Sequence, residues 1–151
     1  MHRALVLWIA LAPWSLSLAS CGSDEPQIAL RICGDLAAPE VDAIQVLVTD
    51  TRGVQRLTAL AAMAEGPEGI ELPVDAEIPR LDGPGFVSAE ARSDGLLVGR
   101  FTVRVPDLAT QDMLTFPLTT ECLMFDCPMG QTCIDGDCTM APLPDRGPSC
   151  P

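Results

Sequence analysis

Apolar and polar residues alternate along much of the chain with a period of two, which is typical of β-strands that bury one face. In Leu96–Val105 the inward positions are predicted to be Leu97, Gly99, Phe101, Val103 and Val105. The outward positions are predicted to be Val98, Arg100, Thr102 and Arg104. Phe86–Arg92 alternates in the same way, and the Asp94-Gly95 pair between the two segments accommodates the positive φ angles of a tight turn. The two segments therefore predict a β-hairpin.

Five further short strands are predicted from the same pattern and from the turn-forming residues between them. They are Gln27–Cys33, Asp42–Asp50, Val54–Leu60, Gly69–Val74 and Met113–Thr119. Pro73 lacks a backbone donor, which favours an edge position for the fourth of these strands. Residues 61–64, which follow the third strand, fit a short helical turn equally well. Seven short strands separated by glycine and proline predict an all-β fold with a single antiparallel β-sandwich.

The succession of strands over residues 27–120 resembles the immunoglobulin-like and transthyretin-like sandwiches. It is similar to the small carboxypeptidase-regulatory-like domains of bacterial surface lipoproteins. The resemblance implies two packed sheets around one hydrophobic core. It rests on strand spacing, because the cysteine pair and the tryptophan of antibody-type domains do not occur in this region.

Residues 121–151 differ in composition, with five cysteines, many turn formers and little apolar material. A segment of this kind cannot build a core and needs covalent staples. Together with one cysteine in the sandwich, six thiols are predicted to form three disulfides in an oxidising compartment, and six thiols allow fifteen connectivities. These cysteines are Cys33, Cys122, Cys127, Cys133, Cys138 and Cys150. The alternative is a four-cysteine zinc site, which an oxidising compartment disfavours.

Residues 127–138 (CPMGQTCIDGDC) resemble the short cysteine-rich segments of EGF-like and dickkopf-like modules, with Gly130 and Gly136 at turn positions. The resemblance implies an interleaved pairing. Its pairs are Cys122–Cys133 and Cys127–Cys138, which leaves Cys33 for Cys150. A Cys33–Cys122 pair is the main alternative, because the first and last strands of a sandwich often lie near each other.

The first twenty residues are predicted to be a secretory signal peptide. Arg3 is followed by the apolar run Ala4–Ala12, and no further charge occurs before Asp24. The alternative of a spanning helix needs about 20 predominantly apolar residues, and Pro13 and three serines weaken the second half of this stretch.

Leu18-Ala19-Ser20-Cys21 resembles the lipobox of bacterial lipoproteins. The resemblance implies cleavage before Cys21 and a diacylglyceryl group on its thiol, so residues 21–26 become a lipidated tether. Two acyl chains are enough for stable attachment to a membrane. Gly22 follows the lipidated cysteine, whereas some bacteria use aspartate there to retain lipoproteins at the inner membrane. The outer membrane or cell surface is therefore favoured, and cleavage nearby by ordinary signal peptidase, which would release a soluble protein, is the alternative.

The mature chain has eight arginines against twenty-one acidic residues, a net charge of −13. This charge excludes nucleic acid as a partner and leaves membrane contact to the lipid. The chain has no lysine or tyrosine, and its one histidine and both tryptophans lie in the signal peptide. Ser-His-Asp chemistry, a Schiff-base lysine and histidine-ligated zinc are therefore excluded. The composition predicts a non-enzymatic envelope protein without a cofactor, either structural or an interaction module with an envelope protein as partner.

Two other functions depend on carboxylates. Asp126, Asp135 and Asp137 are candidate calcium ligands for a binding or adhesion module, although aspartate beside glycine is more typical of solvated turns. A band of acidic residues could in principle supply the carboxylate pair of a hydrolase, which requires a cleft that holds two of them about 5–10 Å apart. The band consists of Glu65, Glu68, Glu71, Asp75, Glu77 and Asp82. A charged, solvated face is the favoured interpretation of this band.

Overall fold

Two β-sheets pack face to face around aliphatic side chains in the computed structural model, which describes residues 25–36, 41–148 and 150. The described residues form nine strands, in chain order β1 (Gln27–Gly34), β2 (Ala43–Asp50), β3 (Gln55–Met63), β4 (Val74–Pro79), β5 (Gly85–Ser93), β6 (Leu96–Val105), β7 (Met113–Leu118), β8 (Gln131–Ile134) and β9 (Asp137–Met140). The first seven strands belong to the predicted sandwich, and the last two form a hairpin in the cysteine-rich segment.

The sandwich consists of a three-stranded sheet with the order β4-β1-β7, called sheet A, and a four-stranded sheet with the order β3-β2-β5-β6, called sheet B. Every neighbouring pair is antiparallel except β1 and β7, which run parallel. The all-β fold and the sandwich are therefore confirmed. The parallel pair is a difference from a purely antiparallel sandwich, and it arises because the first and last strands of the sandwich lie side by side.

The core forms where the alternating faces of the two sheets meet. Alternate residues of β1, β2 and β7 are almost fully buried. They are Ile28, Leu30 and Ile32 in β1, Ile44, Val46 and Val48 in β2, and Leu114, Phe116 and Leu118 in β7. Because side chains along a strand point alternately to opposite faces, the period-two pattern alone determines which residues enter the core.

The hairpin of β5 and β6 has the predicted bounds to within one residue. Asp94 and Gly95 have φ angles of 51° and 77°, as a tight two-residue turn requires. The inward positions of β6 are also confirmed, since Gly99, Phe101, Val103 and Val105 are buried and Leu97 is half-buried.

One predicted strand is misplaced, and one alternative left open by the sequence does not occur. The fourth strand is Val74–Pro79 and not Gly69–Val74, because Ile70 enters the core from a loop while Val74, Ala76 and Ile78 carry the alternation. Residues 61–64 do not form a helical turn, since β3 continues to Met63 and pairs there with Ala43 of β2. The predicted edge position of the fourth strand is correct, because β4 lies at the end of sheet A.

Gly34 ends β1 at a point where the backbones of β1 and β7 come unusually close. Its φ angle is +143°, and a Cβ atom there would overlap the carbonyl oxygen of Leu118. Asp35 follows directly, and its amide donates to the same Leu118 carbonyl. Only glycine satisfies both the φ angle and the approach of the two strands.

Gly34→Ala is expected to lower the free energy of unfolding by about 3 kcal/mol, since the strained φ angle and the overlap with Leu118 each cost about 1–3 kcal/mol. Urea unfolding followed by circular dichroism measures this change. Gly66→Ala is the matched control, because a Cβ at Gly66 meets no atom within 4 Å. A similar loss of stability in both variants would contradict the assigned role of Gly34.

Candidate functional site

The cysteine-rich segment lies along the outer edge of β6 and over part of the outer face of sheet B. β8 lies beside β6. The amide of Met124 donates to the Val98 carbonyl (2.8 Å), and the amide of Arg104 donates to the Pro142 carbonyl (2.8 Å). Between them, the amide of Thr102 donates to Oγ1 of Thr132 (2.9 Å). The segment therefore satisfies backbone groups that an edge strand would otherwise leave unpaired.

This covering corrects the prediction that the outward residues of β6 face solvent. Thr102 is buried, and its hydroxyl forms a hydrogen bond of 2.8 Å with the hydroxyl of Ser88 on β5. Val98 and Arg100 are half-buried, and Arg104 alone of the four is exposed. The alternation correctly assigned these side chains to the outer face, but the segment, which has no core of its own, uses that face as one.

The six described cysteines are all paired, and the pairs are those that the resemblance to small cysteine-rich modules implied. They are Cys33–Cys150, Cys122–Cys133 and Cys127–Cys138. Three of these cysteines are buried together and form a small second cluster. The Cys33–Cys150 bridge ties the end of the chain to β1, so the segment is closed at both ends. Cys21, the predicted site of lipidation, lies outside the described residues.

Glu90, which is only 3% exposed, is the centre of an ionic network on the outer face of sheet B. Its Oε2 accepts from Nη2 of Arg92 (2.8 Å), and its Oε1 accepts from Nε (3.0 Å) and Nη2 (2.8 Å) of Arg100. Nη1 of Arg100 also donates to Oδ1 of Asp126 (3.0 Å). The network therefore joins β5 and β6 to the cysteine-rich segment.

A groove with a volume of about 400 Å³ opens beside this network, on the half of sheet B that the segment leaves uncovered. Its lining residues are Gln45, Leu47, Gln55, Thr58, Glu90, Arg92 and Arg100. Amide, hydroxyl and guanidinium groups can donate and accept hydrogen bonds with a peptide or a small polar molecule. The only carboxylate that lines the groove, that of Glu90, is held between the guanidinium groups of Arg92 and Arg100.

Sequence reasoning did not single out Glu90. The sequence feature that could have identified Glu90 is its position on the outward face of a strand that is predicted to pair with β6. The register then places Glu90 directly opposite Arg100, and opposite charges at such a position attract.

The three candidate calcium ligands do not form a site together. Asp126 pairs with Arg100, and Asp135, with a φ angle of 51°, makes the turn between β8 and β9 together with Gly136. Asp137 is exposed at the start of β9. The described part of the chain contains no group of three or more side chains that could hold a metal ion.

The predicted acidic band is spread over two loops and one strand, with Asp82 exposed in the loop between β4 and β5. Glu65, Glu68 and Glu71 lie in the exposed loop between β3 and β4, whereas Asp75 and Glu77 lie on the exposed face of β4. Asp75 pairs with Arg31 of β1 at 3.4 Å, and both side chains are largely solvated. This placement fits the favoured interpretation of a charged, solvated face.

The turn between β2 and β3, close to the groove, is closed by one carboxylate. The amide of Val54 and the amide and side chain of Arg52 donate to Asp50. These hydrogen bonds, the one from Val54 above all, lower the pKa of Asp50 below its usual value. The carboxylate therefore favours the folded state above the usual pKa of an aspartate, and this contribution is lost as the pH falls through the lowered value.

Comparison of the chain with protein-family profiles, with curated proteins and with solved structures found no significant match in any of the three.

Glu90→Gln is expected to lower the free energy of unfolding by about 2–3 kcal/mol, because it leaves the partly buried Arg92 without its counter-charge and leaves Arg100 with only the exposed Asp126. Asp75→Asn is the matched control, since it removes one carboxylate from an exposed pair with Arg31, which is worth about 0–1 kcal/mol. Urea unfolding of both variants gives the two values. Equal values would show that the Glu90 network does not stabilise the fold.

Reduction of the disulfides is expected to release the cysteine-rich segment before the sandwich unfolds. Cys122–Cys133 and Cys127–Cys138 each join residues 11 apart in the sequence, and closing a loop of that length contributes about 3 kcal/mol per disulfide. The sandwich, in contrast, has its own aliphatic core. Hydrogen exchange in dithiothreitol should therefore lose protection at the amides of Thr102 and Arg104 first, while Val46 in β2 stays protected. Oxidised protein measured in parallel is the control. Simultaneous loss of protection at all three amides would contradict this order.

Proposed function

We propose that this protein is a lipid-anchored protein of the bacterial cell envelope that serves as a non-enzymatic structural or protein-interaction module. The observation that carries the proposal is the position of the sandwich next to the lipobox cysteine. β1 begins at Gln27, so the chain from Cys21 to the fold spans at most about 20 Å. A tether of this length holds the sandwich at the membrane surface once Cys21 is lipidated.

The start of the sandwich is well suited to carry an anchor. The amide of Arg80 donates to the Pro26 carbonyl (3.0 Å), and Nε of Arg80 donates to the Gln27 carbonyl (3.3 Å). Arg80 also pairs with Asp112 beside β7. These contacts fix the last residue of the tether and the first residue of β1, so the orientation of the sandwich at the membrane depends on the few residues that precede Pro26.

Within the residues that the structure describes, no helix has the length and apolar character that crossing a membrane requires.

The side chains of the described surface support binding more than catalysis. Glu90 and Arg100, the charged groups at the centre of the groove, are engaged with each other and with Asp126. The mature chain also has no histidine, lysine or tyrosine to act as a base or nucleophile near neutral pH. The uncovered half of sheet B therefore serves the proposed module as a surface for another protein.

Cys21→Ala is expected to abolish lipidation and to block cleavage at the lipobox, because the thiol is the group that is acylated. Mass spectrometry of protein from the native host should show a mature chain that begins at a diacylated Cys21 in the wild type and not in Cys21→Ala. Ser23→Ala, two residues into the tether, is the control and should be processed normally. An unmodified Cys21 in the wild type, or a mature chain that begins elsewhere, would contradict the anchor.

The same preparations locate the protein. In a density gradient of the host envelope, the wild type is expected with outer-membrane markers, since Gly22 and not aspartate follows Cys21. Recovery of the wild type with inner-membrane markers would count against the outer membrane and leave the lipid anchor intact.

A further inference from the structure

Sheet B has an open edge at β3. β3 is the terminal strand of the sheet, and its inner side pairs with β2. Among the described residues, none of the backbone hydrogen bonds outside the strand ladders involves Gln55–Met63. A row of amides and carbonyls therefore faces outward along this strand, available to another strand.

Each of the other three edges of the sandwich is protected. β4 carries Asp75 and Glu77, follows Pro73 and ends at Pro79. β7 contains Pro117, which has no backbone N–H to donate to another strand. The edge of β6 is covered by the cysteine-rich segment. Charges, prolines and covering segments are the usual ways in which proteins prevent edge strands from pairing.

β3 has no proline and, within the described residues, no covering segment, and its irregularities are confined to the two ends of its central stretch. Its sequence from residue 57 to residue 63 is LTALAAM, without a charge or a proline, and Arg56 is the only charged residue of the strand. Leu60 and Met63 are both more than half exposed. The register against β2 is continuous from Leu57 to Leu60, with a shift on either side of that stretch. An apolar edge with a regular central stretch is suited to strand addition.

We propose that β3 pairs antiparallel with β3 of a second copy of this chain, so that the two copies of sheet B become one continuous sheet. This proposal rests on the proposed function as a protein-interaction module and names the partner. A two-fold pair of identical edges is closed and self-complementary, and it removes the open edge from both copies at once.

The two faces of sheet B restrict the register of this pair. Leu57 and Ala59 pack against the core, whereas Thr58 lines the groove on the outer face. Residues opposite each other in an antiparallel pair project to the same face, and a slip of one residue would reverse this. The two-fold axis therefore passes beside Thr58 or beside Ala59, and not between them.

Charge complementarity favours a second copy as the occupant. Arg56 lies at the start of β3, and the exposed Glu65 and Glu68 lie just beyond its end. With the axis beside Ala59, Arg56 of each copy lies opposite Ala62, three residues before Glu65 in the loop of its partner. Charge complementarity therefore favours this register over the one with the axis beside Thr58, where Arg56 lies opposite Leu60. Arg56 donates to the Asp82 carbonyl, and no salt bridge among the described residues engages it.

The mass of the protein in solution tests the pair without the lipid. The mature chain with Cys21→Ser, exported behind an unrelated cleavable signal, is expected to form a dimer in analytical ultracentrifugation at concentrations up to about 0.1 mM, where even weak pairs are populated. Thr58→Lys with Leu60→Lys sets like charges against each other in both permitted registers, and should weaken the dimer more than about tenfold.

Met113→Lys with Met140→Lys is the matched control, because it adds the same charge at two exposed positions away from β3 and should leave the dimer intact. If the Cys21→Ser chain with unaltered β3 stays monomeric, or if both double variants weaken the dimer equally, the proposal is overturned. Because the tested chain has no lipid, neither of these results bears on the proposed lipid anchor. A failure of lipidation in the host would likewise not bear on the proposed dimer.

Crosslinking in the native envelope tests the register. After mild oxidation, Thr58→Cys or Ala59→Cys should give a disulfide-linked dimer on non-reducing electrophoresis, and peptide mapping should show the native disulfides unchanged. Glu77→Cys, on the protected edge of β4, should stay monomeric. No dimer from either β3 position, or an equal yield from Glu77→Cys, would contradict the pairing of β3.

Discussion

The structure depends on one constraint, which is that the cysteine-rich segment, residues 121–151, cannot bury a core of its own. Disulfides lower the conformational entropy of such a segment when it is unfolded, but they do not supply apolar area. The segment therefore uses the outer face of sheet B as a second core, where Phe86 lies against Gly130 and Thr132 caps the amide of Thr102. The fold is a sandwich with a third, partial layer.

A carboxylate is buried on the outer face of sheet B, at the border of the part that the segment covers. Glu90 is only 3% exposed, so it requires counter-charges. Arg92 and Arg100 supply them, and Asp126 extends the network to the segment itself. A buried ion pair contributes little net stability because desolvation opposes the attraction. The network instead fixes the side chains of Glu90, Arg92 and Arg100 on the sheet, and its exposed member Asp126 links them to the segment.

The sequence predicted most of the sandwich but little of this third layer. Alternation located the hairpin of β5 and β6 and the core faces, because each strand's pattern reflects its own backbone geometry. It misplaced β4, since Ile70 and Leu72 are apolar without being in a strand. It could not show that Thr102 is buried, because a period of two separates two faces without showing what covers either. The disulfide pairing came from a resemblance to known modules, since spacing alone leaves fifteen connectivities open.

The path of the chain explains why the segment covers β6 and leaves β3 open. β7 ends beside β1 and next to β6 across the sandwich. The segment therefore leaves the sandwich on the side of β6, and its last described residue must return to Cys33 at the end of β1. The segment crosses β5 and β2 only at one end of sheet B, where Met129 lies against Gly53 in the turn between β2 and β3, and it does not run along β3 itself. The same connectivity that protects one edge of sheet B within the chain leaves the opposite edge open.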